Sequence, residues 1–87
     1  RYGGEEFVVI LPDTDVSGAC AAGERLREMV ESFEMKLDDG TVLPPITISV
    51  GVKEVEDDQS AEVVIKRADT ALYRAKGLGR NRVEVSL

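Results

Sequence analysis

Residues 46–55, ITISVGVKEV, decide how the rest of the chain is read. Ile46, Ile48, Val50 and Val52 fall on one face of an extended segment, and Thr47, Ser49 and Gly51 on the other. The second face is narrow, a sign that something packs or binds closely against it. Toward the C-terminus, EDDQ (56–59) reads as an acidic loop, and Ser60 as the N-cap of a helix from Ala61 to Lys76. Val64, Ile65, Ala68, Ala71, Leu72 and Ala75 form its apolar stripe, and Gly77 or Gly79 ends it. NRVEVSL (81–87) alternates and predicts a terminal strand. Toward the N-terminus, DDGTVLPP (38–45) is a turn and loop. Before it, a helix is predicted over Val16–Phe33, capped by Asp15 or Thr14. Its stripe is Leu26, Met29, Val30 and Phe33, extended backwards by Ala19, Ala22 and Gly23; Glu24, Arg27, Glu28 and Glu31 form its wet face. FVVIL (7–11), stopped by Pro12, predicts a strand buried on both faces, and Gly3-Gly4 ahead of it a tight turn. The order strand–helix–strand–helix–strand is an α/β (α+β) layout, helices against a sheet.

Composition narrows the function classes. The 87 residues suffice for one small domain, and the 43% apolar and 32% charged fractions are those of a globular chain. Such a length buries only roughly two-thirds of its unfolded surface, so good packing or a partner is needed. The one cysteine, Cys20, has no internal disulfide partner. With no histidine, acid–base or metal chemistry falls to carboxylates. No apolar run approaches the ~18–20 residues that span a bilayer, and no signal peptide is visible. Net charge is −6, distributed as −10 over residues 1–65 (five Lys/Arg, fifteen Asp/Glu) and +4 over 66–87 (six Lys/Arg, two Asp/Glu). An acidic chain is a poor non-specific nucleic-acid binder, while a local cationic end suits a small anion such as a nucleoside triphosphate.

Three constellations could carry chemistry. In Gly3-Gly4-Glu5-Glu6-Phe7, two glycines let backbone approach a ligand closely, and the two acids leave on opposite faces. Hard oxygen donors suit Mg²⁺; the plain alternative is a solvated acidic turn. Lys76 and Arg80 flank two glycines near a helix end and could converge on one anion, although the helix dipole favours cations there without any ligand. Asp69, in the same helix, is either a partner of Tyr73 or a backbone acceptor. Arg27, among Glu24, Glu28 and Glu31, is most simply a surface ion pair.

Taken together, RYGGEEFVVILP, AGERLR, ITISVGV and KRADTALYRAKGLGRNRV, in that order and at these spacings, resemble the GGDEF family of diguanylate cyclases, in its GGEEF form. The resemblance implies a ferredoxin-like fold, that of the nucleotidyl cyclase palm, and condensation of two GTP into cyclic di-GMP in bacterial second-messenger signalling. Mg²⁺ or Mn²⁺ is the implied cofactor. Glu5 matches the acid that ligates the metal and helps deprotonate the attacking 3′-hydroxyl; Glu6 matches the second acid, close to the metal. Gly3 and Gly4 match the turn against which the nucleotide lies, and Lys76 and Arg80 the cations that hold the triphosphate. Arg25 matches an arginine that binds product at an inhibitory site in some relatives; the alternative is a surface ion pair. Because one domain holds one GTP, the implied partner is a second GGDEF domain in a homodimer. No nucleic acid and no membrane contact are expected, and the expected location is cytoplasmic.

The family's domain is about twice as long, so residues 1–87 are expected to be its C-terminal portion, lacking the N-terminal first strands and helices. The resemblance places the absent first strand centrally, between FVVIL and ITISVGV, and on the absent half an aspartate metal ligand, the guanine-reading residues and an RxxD motif. The chain alone is then expected to be inactive and to associate through unpaired edges. Two alternatives stand beside the cyclase reading: a catalytically silent GGDEF-like module that binds GTP or dimerises, and a ferredoxin-like interaction module without nucleotide chemistry.

Overall fold

The computed structural model describes residues 5–86. Its elements are α1 (Val16–Ser32), β1 (Val50–Lys53), α2 (Ala61–Gly77) and β2 (Val83–Ser86). Both helices begin on the residues that short-range chemistry favours. The Asp15 carboxylate accepts from Gly18 N at 2.8 Å, and the Ser60 hydroxyl from Val63 N at 3.2 Å, each satisfying an otherwise orphaned amide. A third contact joins distant segments: Val16 N donates to Glu54 Oε1 at 2.7 Å, so the chain just beyond β1 also serves the start of α1.

The strands β1 and β2 pair in parallel, with Val50 opposite Val83 and Lys53 opposite Ser86. Parallel neighbours need a crossover, and α2 is that crossover. A Cβ on Gly51 would lie 2.2 Å from Ala68 O and 2.4 Å from Leu72 N, so the α2 backbone rests directly on β1 there. The narrow face of ITISVGVKEV is thus a helix seat. On the other face, a Cβ on Gly23 of α1 would meet the methyls of Val50 at 3.3 Å and Val83 at 3.5 Å. Since Val50 and Gly51 point to opposite sides of one strand, α1 and α2 cover opposite faces. The core lies along α2, where Ala71 and Ala75 are fully buried, and at Val52 of β1, which is 7% exposed.

Three sequence expectations are corrected. The strand predicted over 46–55 is paired only at Val50–Lys53, because β2 supplies four residues of ladder; Ile46 lies outside it, exposed. FVVIL forms no ladder among the described residues, and its expected burial is absent: Phe7 is 73% and Ile10 82% exposed. β propensity favours extension but supplies no partner, and a strand is stable only when its amides pair. On α1, the sheet contact sits at buried Gly23, while Leu26, Met29 and Phe33 of the predicted stripe are exposed. The loop after α1 closes through an antiparallel Lys36–Val42 bridge around Gly40 (φ +90°), in the predicted turn region.

Candidate functional site

The end of α2 gathers charge for local reasons. Arg74 and Lys76 lie in its last turn, where the orphaned carbonyls favour cations. Arg74 turns toward β2: its Nε donates to Glu84 Oε1 at 3.2 Å, and its Nη2 to Val85 O. Arg82 also donates to Glu84, at 3.2 Å. With its hydrogen bond from Arg74 as the main cause, the Glu84 carboxyl titrates below the usual range. These two arginines therefore tie helix to strand.

Lys76 points elsewhere. Its Nζ donates to Glu6 Oε2 at 3.3 Å, across 70 positions of chain, with both side chains partly shielded. Glu6 and the cationic helix end are thus adjacent in space. Glu5, next to Glu6, is exposed. The predicted nucleotide-facing Gly3 and Gly4 lie outside the described residues.

Arg80 sits on an unusual loop. The helix ends at Gly77, and the chain then runs through three consecutive positive φ values: Gly79 (+122°), Arg80 (+62°) and Asn81 (+47°). Only Gly79 takes such a value without cost; a long side chain disfavours it. The Arg80 amide donates to Ala75 O at 3.0 Å, and Leu78 N donates to Arg74 O at 3.0 Å. The Arg80 side chain is exposed and forms no ion pair among the described residues.

Behind this loop, Arg27 of α1 is the hub of a network that its own helix only half explains. It pairs with Glu24 and Glu31 on successive turns, as the wet-face reading predicts. Its Nη1 also donates to Asn81 Oδ1 at 3.0 Å, and Asn81 Nδ2 donates to Glu31. Its side chain is only 15% exposed, so it is not an ordinary surface ion pair. The hydrogen bond with Glu24 raises the Arg27 pKa and lowers that of the Glu24 carboxyl. Arg25, on the same helix, is exposed and without an ion pair among the described residues. Asp69 makes neither predicted contact among those residues; it lines a shallow hollow with Glu62, Ile65 and Lys66.

The sequence pattern singled out Glu5, Glu6, Lys76 and Arg80. The structure brings Glu6 to Lys76 and places Arg80 one loop beyond. Asn81 and Glu54 were missed, because their partners lie far away in sequence. An asparagine after a glycine-rich helix end was the available signal for Asn81, since asparagine tolerates positive φ. Among the described residues, no three carboxylate or thiol groups gather to hold a metal ion, and no helix is long and apolar enough to cross a membrane.

Residues 1–82 match the family model described as "Diguanylate cyclase, GGDEF domain". Diguanylate cyclase A of Treponema denticola is 46% identical over 87 residues, 99% of this chain and 23% of that protein. Response regulator PleD of Caulobacter vibrioides is 43% identical over 84 residues, 95% of this chain and 18% of that protein. The crystal structure of the GGDEF domain of DgcB from Caulobacter crescentus, in complex with c-di-GMP, superposes with a TM-score of 0.91 at 40% identity. That likeness covers 99% of this chain and 51% of the DgcB chain. The chain spans less than a quarter of the two curated relatives and about half of the solved domain.

Proposed function

Because the chain belongs to the family of GGDEF diguanylate cyclase domains, we propose that it is the C-terminal portion of a domain that condenses two GTP into cyclic di-GMP. The observation that supports this reading is the Glu6–Lys76 contact of 3.3 Å, which joins one of the two signature acids to the cationic end of α2, four residues before Arg80. In-line attack of a 3′-hydroxyl on an α-phosphate requires a deprotonated hydroxyl, alignment and a clamp on the departing pyrophosphate.

Each requirement has a candidate here. Glu5, exposed, accepts the hydroxyl proton or ligates the cation. Lys76 and Arg80 grip the triphosphate, one as a point charge and the other as a planar fork. Glu6 holds Lys76 in place until phosphate oxygens compete for it. Gly3 and Gly4, which lie outside the described residues, are assigned to nucleotide binding from the family motif alone. Arg25, exposed on α1, is the residue for an inhibitory product site.

The donor chemistry fits Mg²⁺ or Mn²⁺, which take few protein carboxylates and complete their shells with phosphate oxygens and water. Glu5 would hold the ion, with Glu6 close by and a further ligand from outside these residues. When bound, the ion neutralises phosphate charge and acidifies the attacking hydroxyl. One such domain holds one GTP, so turnover takes two domains face to face, and the isolated 87-residue chain makes no product.

The test is product formation from GTP by the full-length protein. Glu5→Ala is expected to abolish cyclic di-GMP synthesis, a loss of about 10³-fold or more for an essential acid. Unchanged synthesis would falsify the Glu5 assignment. No synthesis by the unaltered full-length protein, with GTP still bound, would favour the catalytically silent module.

A further inference from the structure

We infer that Asn81, gripped by Arg27 from α1, is a positioning residue that holds Arg80 in its left-handed backbone conformation and so aims its guanidinium. The inference rests on the reading of Arg80 as a triphosphate-binding cation.

The argument begins with a mismatch. Gly79, Arg80 and Asn81 take successive positive φ values, and at Arg80 that is unfavourable for the residue itself. Something else must over-determine the conformation. The Arg80 side chain does not, since it is exposed and forms no ion pair among the described residues. Its amide is fixed to Ala75 O at 3.0 Å, which ties the loop to α2 on one side. On the other side, Arg82 Nη1 donates to Leu78 O at 3.0 Å. Between these ties, the remaining side-chain anchor is Asn81.

That anchor is chemically specific. Arg27 has only donors and the Glu31 carboxylate only acceptors, so the Asn81 amide has one orientation: oxygen to Arg27, at 3.0 Å, and nitrogen to Glu31. Arg27 and Glu31 also pair with each other, at 3.4 Å, which closes a three-membered ring. The ring joins the first helix to the loop across 54 positions of chain. Asparagine accepts positive φ better than most residues, so both its backbone and its side chain suit the place. The residue with the idle side chain is strained, and its neighbour carries the contacts. Such a division leaves a guanidinium preorganised and available, which lowers the ordering cost of gripping an anion.

The experiment is a double-mutant cycle in the full-length protein, read as the dissociation constant for a non-hydrolysable GTP analogue. Asn81→Gly keeps the left-handed backbone accessible but deletes the anchor. It is expected to weaken binding about threefold or more when Arg80 is present, and less than about 1.5-fold in the Arg80→Ala background. Thermal unfolding checks that the variant is folded, and Arg27→Gln, which cuts the same contact from α1, is expected to show the same dependence on Arg80 if Asn81→Gly does not fold. Equal weakening in both backgrounds overturns the positioning role, because the effect then does not pass through Arg80. No weakening by Asn81→Gly beside a damaging Arg80→Ala overturns the positioning role alone. Unchanged binding in Arg80→Ala removes the clamp reading itself, and the positioning role with it.

Discussion

Two segments of this chain are about equally rich in β-branched residues and end in opposite states. SVGV (49–52) lies in or against a ladder, with α2 on one side and α1 on the other. FVVIL (7–11) takes no regular secondary structure, is unpaired among the described residues and is open to solvent. The difference is not in propensity. β1 has a partner, β2, delivered by the α2 crossover within 30 residues, and it has Gly51 to let that helix settle on it. FVVIL has apolar side chains but no strand partner among the described residues. Apolar content selects which segments can be buried; partner backbone selects which become strands.

Breaking the favoured side of the comparison should produce the largest effect. Gly51→Ala puts a Cβ 2.2 Å from a helix carbonyl and 2.9 Å from the Leu72 Cα, backbone atoms that cannot swing away as a side chain would. The α2–β1 seat must open, and denaturant unfolding of the full-length protein is expected to show a loss of about 3 kcal/mol or more. Retention of stability would mean that the close seating of α2 on β1 does not hold the sheet together.

A smaller loss follows from the caps, which act on each helix by itself. Asp15→Ala removes the acceptor for Gly18 N at the start of α1, and the expected cost in the same assay is about 1 kcal/mol.

Acidification probes the charges that tie elements together. The Glu24 and Glu84 carboxyls are held below the ordinary glutamate range, chiefly by hydrogen bonds from Arg27 and Arg74. Depressed folded-state values mean stability that is present above the unfolded pKa and lost as pH falls through the folded one. Melting temperature should therefore be insensitive to these two groups between about pH 6 and pH 8 and should fall once pH drops below the ordinary glutamate range. Glu84→Gln should flatten part of that acid limb.

The weakest effect on stability is expected on the unpaired side. Ile10→Asp in the 87-residue chain changes a residue that is 82% exposed, so the stability of the folded part should shift by less than about 0.5 kcal/mol. Association should respond more strongly, because a charge on an open apolar edge opposes edge-to-edge pairing. Light scattering showing a monomer before the substitution would remove the association reading. A lower association after it would sharpen the contrast between the two segments.

The sequence was most legible where physics is local. Helix α1 was expected over Val16–Phe33 and runs over Val16–Ser32; α2 was expected over Ala61–Lys76 and runs over Ala61–Gly77. Asp15 and Ser60 declared both starts, since a cap acts within three residues. Of the candidate site, residue types and spacing marked Glu5, Glu6, Lys76 and Arg80 as chemistry-bearing. They did not reveal that Arg27, an apparent surface pair, reaches Asn81, nor that Glu54 serves the start of α1. Those contacts join segments that no periodicity relates.

What the chain's sequence determined by itself was therefore the inventory: two capped helices, short strands of alternating character, a narrow glycine face and two sets of opposite charge. Each follows from interactions over a few residues, within reach of capping, periodicity and propensity. Tertiary structure alone decided which inventory parts meet. It put the helices on opposite faces of the sheet, set Glu6 against Lys76, locked the left-handed turn at Arg80 from behind, and gave FVVIL no ladder among the described residues. The reason is that pairing and ion contact depend on backbone brought close from distant positions, and that proximity is a property of the folded whole.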